Sequence, residues 1–275
     1  MVSRRDFLKL GSAALAGSFF IGDKLNSEQI PSRTRKYKGK NFAGWEIALG
    51  DAIYARAGEA PVSLADIETV NEDDYSQLRA NIQSRIIMAH NITFKRIINS
   101  RARKFVHTCT YDFRLPYLPI PDTSASLNAQ TLEGGLFVWD GAETRLDYGI
   151  AFQWSLNPWN EFGFIRTWTD TNGGEWLNVG ELTPDMEWHQ VTMIVDFRRE
   201  TTALLIDNKH YLSYLTRIQK PPDWGNEVAA RLQAEIVSID PEPSGMRAMH
   251  KAQFKNWVWL WESSNRSNSE SDSES

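Results

Sequence analysis

The rhythm of apolar and polar positions changes once along this chain. Between 63 and 90, Tyr75, Leu78, Ile82, Ile86 and Ala89 recur at spacings of three and four. That spacing predicts a short amphipathic helix with these residues on one face. Asn71 or Asp73 could cap it. From Asn91 onward the apolar residues fall into short runs broken by Gly, Pro, Asn and Asp, which is strand texture. The runs cover 92–98, 104–115, 135–139, 146–156, 162–169, 175–179, 188–197, 202–206, 211–216, 231–239 and 252–261. Breaks such as Asn172-Gly173-Gly174, Asp207-Asn208 and Pro221-Pro222-Asp223 separate them. Eleven runs joined mostly by short connections predict an all-β, antiparallel two-sheet sandwich with one short N-terminal helical segment. No regular repeat of about 20–50 residues appears, which argues against a propeller or solenoid.

In the last strand run, Trp257, Trp259 and Trp261 alternate, and Phe254, Val258 and Leu260 are expected on the opposite face. A strand apolar on both faces is expected to be central in its sheet or covered on its second side by the segment 41–90; the alternative is that this side is left as an open platform for a sugar.

The two ends differ from the middle. Ser3-Arg4-Arg5-Asp6-Phe7-Leu8-Lys9, followed by a weakly apolar run from Leu10 to Ile21, resembles the bacterial twin-arginine export signal. The run, at 12 residues, is too short to span a bilayer as a helix. The resemblance implies a signal peptide over 1–30 and a periplasmic or secreted protein, with no integral membrane span in the mature form. No small-x-small triplet follows cleanly, so the mature start falls anywhere around 23–32. Residues 33–40 hold five positive charges, and 31–40 reads as a basic, solvated linker. Residues 263–275 are Ser, Asn, Glu and Asp with one Arg, an acidic tail that cannot bury enough surface to order itself. The sandwich is expected to fill 41–262.

Composition narrows the classes without choosing a function. The chain has 275 residues, 41% hydrophobic and 24% charged, which excludes collagen-like, fully disordered and multi-span membrane proteins. A single cysteine, Cys109, excludes an internal disulfide framework and a Cys-cluster zinc site. A formal net charge of -5 gives no general attraction to nucleic acid.

The stretch from Trp188-His189-Gln190-Val191 to Leu204-Leu205-Ile206-Asp207-Asn208 resembles the "W-H-x-V … L-x-I/V-D-G" hairpin of the concanavalin A-like lectin/glucanase superfamily, laminin-G-like domains included. Phe254 to Trp261 resembles the closing strand of that fold, and 134–139 and 148–154 its middle strands. Asn208 stands where the pattern favours Gly, and Asn tolerates a positive φ. The resemblance covers about half the chain and implies a concanavalin A-like jelly roll. Its motifs are structural and imply no reaction.

The superfamily's glycosidases carry Glu-x-Asp-x-Glu or Glu-x-Asp-x-x-Glu on one strand, which puts the carboxylates on one face. Neither pattern occurs on a strand here, and the alginate-lyase motifs are absent too. The clustered acids, Asp66/Glu68, Glu72/Asp73/Asp74, Asp185/Glu187 and Asp240/Glu242, read as caps and solvated faces. Isolated candidates are Asp147, Gln153, Glu161, Arg166, Glu187 and His189; any pair could meet in a concave groove, or they are ordinary polar residues of the sandwich surface. His189 is structural in the resembled hairpin. The other histidines make no metal-ligand spacing, so no metal site is assigned. Calcium is common in relatives, and no ligands for it can be named.

Aromatic content is the one positive signal. Ten of the 11 Trp residues fall between Trp139 and Trp261. Sugar rings present apolar C–H faces that stack on indole, so Trp154, Trp159, Trp168 and Trp176, with Gln153, Arg166 and His189, are the candidate binding residues. A two-layer core consumes Trp as well. Three functions stay open: an exported glycan-binding sandwich without catalysis, with a polysaccharide or oligosaccharide as partner; a divergent glycoside hydrolase or polysaccharide lyase; and a structural or interaction domain of the cell envelope.

Overall fold

Burial alternates along 164–169 and most of 105–114 and 189–196, whereas 130–138 and 229–238 are buried at every position, and strand pairing sorts the chain into two sheets with a shared interior. The computed structural model describes residues 34–50, 54–55, 62–80, 87–97, 101–118, 130–139, 148–156, 162–224, 229–239 and 250–263. In chain order the strands are β1 (Arg35–Gly39), β2 (Glu46–Leu49), β3 (Tyr54–Ala55), β4 (Ile67–Asn71), β5 (Ser76–Ala80), β6 (Ile87–Ile97), β7 (Phe105–Arg114) and β8 (Gln130–Trp139). They continue as β9 (Gly149–Leu156), β10 (Phe164–Thr169), β11 (Glu175–Glu181), β12 (His189–Asp196), β13 (Thr201–Ile206), β14 (Lys209–Tyr211), β15 (Ala229–Ile239) and β16 (His250–Ser263). Sheet A runs β14-β13-β12-β7-β16-β5-β4, with β1 beside the second half of β16. Sheet B runs β11-β10-β9-β8-β15-β6-β2, with β3 on β6. Every pairing is antiparallel. This is the expected two-sheet sandwich; ten of the eleven strand runs read from the sequence fall on strands, while the run 211–216 meets one only at Tyr211 and continues outside any strand.

The interior is filled from both layers. Sheet A contributes Cys109, Tyr111 and Phe113 from β7, Val191, Met193 and Val195 from β12, and Trp257, Trp259 and Trp261 from β16. Sheet B contributes Leu132, Leu136 and Val138 from β8, Ile150, Phe152 and Trp154 from β9, and Leu232 and Ile236 from β15. Each large side chain withdrawn from water contributes roughly 1.5–3 kcal/mol. The layers approach closely at Gly134, where a Cβ would sit 2.0 Å from the Tyr111 hydroxyl.

Three expectations are corrected. No helix spans 75–89 among the described residues. Leu64–Asp66 forms one 3-10 turn, and β4 and β5 follow as a hairpin. The residues read as caps close that hairpin: the Glu72 amide donates to the Tyr75 carbonyl at 2.8 Å, and the Ser76 hydroxyl to Asn71 Oδ1 at 2.6 Å. Leu78 then enters the core beside β16 instead of forming a helical stripe, because the ladder to β16 satisfies the backbone and buries the side chain together. Ile82 and Ile86 lie outside the described residues.

The basic segment is not all linker. Arg35–Gly39 pairs with Trp257–Trp261, with Tyr37 set edge-on to Trp261 and Arg35 5.8 Å from that ring's centroid. Its charges stay exposed while its backbone completes the ladder.

The closing strand β16 is central, as expected, and all three of its alternating Trp residues are buried. Phe254, however, faces the same core, against Phe42 and Tyr111. A bulge between Lys255 and Val258, with Asn256 at φ 53, resets the alternation. The N-terminal segment covers the Trp face, with Trp45 edge-on to Trp257 at 5.4 Å.

Among the described residues no helix is long and apolar enough to cross a membrane. The signal-like segment 1–30 and tail residues 264–275 lie outside the described residues.

Candidate functional site

Side chains on alternate positions of sheet B point away from the sandwich interior, and on this outer face polar groups line up. Asn178 (β11) is the register partner of Arg166 (β10), Arg166 of Gln153 (β9), Gln153 of Glu133 (β8), and Glu133 of Glu235 (β15). Directly opposed residues in an antiparallel pair share a face, so these five form one row across five strands. Neighbours within the row are bonded. Arg166 Nε donates to Asn178 Oδ1 at 3.1 Å, and Gln153 Nε2 donates to Glu133 Oε2 at 2.8 Å. Burial lowers the Arg166 pKa from its ordinary value.

Glu133 and Glu235 are 4% and 2% exposed. Such carboxylates persist in a structure only when partnered. His90 Nδ1 lies 2.5 Å from Glu235 Oε1, and Gln233 Nε2 donates to Glu235 Oε2 at 3.3 Å. Arg231, fully buried on the same face, holds its guanidinium 5.1 Å from the centre of the Phe137 ring. The buried Gln233 Oε1 has no hydrogen-bond partner among the described residues.

Aromatics flank the row. Trp168 and Trp176 are register partners at the β10–β11 edge, their rings 5.5 Å apart at 66° and both half-buried. Trp168 lies against Gly174, whose φ of 94 suits glycine and where a Cβ would meet the ring at 2.8 Å. A bulge between Ile165 and Arg166 sets the aim of this edge. Towards the opposite edge of the sheet, Arg96 lies 4.2 Å from the centre of the Trp139 ring and pairs with Glu46.

Four of the residues picked from sequence therefore share this face: Gln153, Arg166, Trp168 and Trp176. Trp154 does not. It points into the core, fully buried, donating through Nε1 to the Leu182 carbonyl at 3.0 Å. His189 is also elsewhere, at the start of β12 on sheet A. Its ring packs on Phe113 and Trp154, with Nδ1 2.7 Å from Asp207 and Nε2 3.0 Å from Asp185. Asp207 also accepts from the Gln190 amide and opens the tight turn with Asn208, at φ 52 and 64. His189 thus ties the hairpin together. Trp159, Asp147, Glu161, Asp240 and Glu242 lie outside the described residues. Glu187 is exposed in a loop, and Glu68 sits on β4 paired with Arg79.

Sequence reading missed Glu133, Glu235 and His90. The signal was there on β15: Arg231, Gln233 and Glu235 alternate with Leu232, Ala234 and Ile236. Among the described residues no group of three or more His, Cys, Asp or Glu is placed to hold a metal ion.

No protein-family model and no curated protein sequence matches the chain. Solved structures of similar shape include a sialidase at 9% identity and TM-score 0.47, covering 75% of this chain and 16% of that one. The chain thus spans about a sixth of the sialidase's length. A galectin-like-fold protein of unknown function from Bacillus subtilis is similar at 9% identity and TM-score 0.46, covering 83% of this chain and 96% of that one. A Bacteroides ovatus mixed-linkage glucan GH16 protein is similar at 8% identity and TM-score 0.46, covering 82% and 99%. These likenesses are ones of shape, and at such identities and scores they do not say what this chain binds.

Proposed function

We propose that this chain is an exported carbohydrate-binding β-sandwich protein of the concanavalin A-like class, and that its glycan site is the outer face of sheet B. One observation carries the reading: the half-buried Trp168–Trp176 pair stands on the same two strands as the Arg166–Asn178 end of the polar row. A sugar needs both features, an aromatic surface for its C–H face and planar polar groups for adjacent hydroxyls. Export rests on Arg4-Arg5 and the apolar run behind them. The test is an array of polysaccharides and oligosaccharides probed with the purified protein, followed by calorimetry on any ligand found. Trp168→Ala and Trp176→Ala should each weaken binding by about tenfold or more, equal to about 1.4 kcal/mol. A blank array, or binding unchanged in both variants, overturns the proposal and favours an interaction domain of the envelope.

One observation favours a second reading, that of a divergent glycoside hydrolase. Glu133 and Glu235 oppose each other directly across β8 and β15. Opposed Cβ atoms lie about 4.5–5.5 Å apart, and the carboxyl groups splay further, Glu133 towards Gln153 on β9 and Glu235 towards His90 on β6. That splay is in the direction of the wider spacing of about 6.5–9.5 Å at which inverting glycosidases hold a water between their two carboxyl groups. Release of reducing ends from a polysaccharide panel, abolished by Glu133→Gln and by Glu235→Gln, would establish it. Sugar binding without turnover would leave the lectin-like reading standing.

A further inference from the structure

At one end of sheet A, away from every residue of the polar row, two turns converge. One is Ala102–Lys104, entered through Arg101 at φ 48. The other is 197–200, between β12 and β13, closed by Glu200 at φ 55. Strands β7 and β12 are neighbours and pair Asp196 with Val106, which brings the two turns side by side. Between them lies a cavity of about 490 Å³ lined by Arg103, Lys104, Phe197, Arg198 and Glu200. That volume falls within the about 300–1,000 Å³ usual for small-ligand pockets.

The charge of this lining is lopsided: three cationic side chains face one carboxylate. The nearby acids are already engaged. Glu200 accepts from the Tyr148 hydroxyl at 2.9 Å. Asp196 caps the turn by accepting from the Arg198 and Arg199 amides at 3.0 and 3.1 Å, and it also pairs with the Arg199 guanidinium at 3.8 Å. Arg103 has a buried Nε with no hydrogen-bond partner among the described residues. A buried guanidinium N–H without an acceptor is costly, and turning the Arg103 side chain so that this N–H meets a ligand oxygen in the cavity would remove that cost. Phe197, 1% exposed, supplies an apolar wall.

We propose that this cavity is an oxyanion-binding site that takes a ligand bearing a carboxylate or a sulfate, with Arg103 as its principal donor and Lys104 and Arg198 as flanking charges. An arginine fork matches the planar geometry of such groups. The site is independent of the glycan face on sheet B. Its ligand could be an acidic sugar or a free inorganic anion, and the two share the recognising chemistry.

The test is calorimetric titration of the full chain at low ionic strength with sodium glucuronate, sodium sulfate and glucose. Saturable binding of at least one anion, and none of glucose, is expected, weakening as salt rises. Tighter binding of glucuronate assigns an acidic sugar, and tighter binding of sulfate assigns an inorganic anion. The double variant Arg103→Gln/Arg198→Gln should weaken binding by about tenfold or more. Glu200→Gln should act in the opposite direction and tighten it by about threefold, because it removes the one like charge and keeps an acceptor for Tyr148. That opposite sign keeps the proposal testable if the double variant fails to fold. Trp168→Ala should leave the anion titration unchanged. Failure of both anions to bind overturns the proposal, as does equal binding by the double variant or weaker binding by Glu200→Gln.

Discussion

His107 sits in the sandwich core, fully buried, and the structure specifies its protonation state. An indole N–H can only donate, so the contact of Trp259 Nε1 with His107 Nδ1 at 3.1 Å makes Nδ1 the acceptor. The other nitrogen, Nε2, lies 3.0 Å from the Ala102 carbonyl and must carry the proton. A second proton would set N–H against N–H in an apolar site. Burial accordingly lowers the His107 pKa from its ordinary 6.5 to about 4, against a smaller opposing effect from the Ala102 carbonyl. The unfolded chain takes up the proton near pH 6.5 and the folded chain only near pH 4. Between those values the unfolded state binds more protons, and stability falls as pH falls. At about 1.4 kcal/mol per unit, the loss on going from pH 7 to pH 4 is about 3 kcal/mol. Urea unfolding at pH 7, 6, 5 and 4 measures it. His107→Phe is the control: it should be less stable at pH 7, because it leaves the buried Trp259 N–H unpaired, yet lose about 3 kcal/mol less on acidification. Identical pH slopes in the two proteins would refute the argument, as would an NMR titration of His107 near pH 6.5.

Cys109 lies in the same core, and burial raises its thiol pKa well above the ordinary value. It should resist an aqueous alkylating reagent at pH 8 in the folded protein and react at once in denaturant; rapid labelling of folded protein would contradict its placement. Gly174→Ala should drive the Trp168 ring out of position and weaken glycan binding by about tenfold, with a shift in tryptophan fluorescence as an independent readout. Arg4-Arg5→Lys-Lys should leave the protein in the cytoplasm, detectable by fractionation; unchanged export would remove the localisation proposal.

The sequence made the strands from 92 onward legible because short apolar runs with Gly, Asn and Pro breaks have few other physical solutions. It misled at 75–89 because apolar spacings of three and four can arise by chance across a hairpin. The turn acids Glu72, Asp73 and Asp74 look the same in a helix cap and in a β-turn, and only the open edge of β16 decides between them. The edge strand β1 was illegible for the converse reason. Arg35–Gly39 has almost no apolar content, and the backbone ladder to Trp257–Trp261 holds it. Phase within β16 was unreadable as well, since a bulge at a single Asn inverts every side chain beyond it.

The site shows a similar division. Tryptophan count pointed to sugar stacking, yet the sandwich uses most of these residues for packing: Trp154, Trp257, Trp259 and Trp261 are all in the inter-sheet core. What separates the Trp168–Trp176 pair from them is strand parity, because both share the outer face with Arg166. The same parity explains why the carboxylates escaped notice. A search for acids spaced along one strand follows the i, i+2 direction, whereas Glu133 and Glu235 are neighbours across strands, about 100 residues apart in sequence. Polar alternation within an otherwise apolar strand is the signal that survives in one dimension. Arg231, Gln233 and Glu235 show it, and a strand with polar groups at every second position and apolar ones between must present the polar set to something other than the core. In this fold that is the outer face of sheet B, where Gln153, Arg166 and Asn178 extend the same row to the aromatic edge.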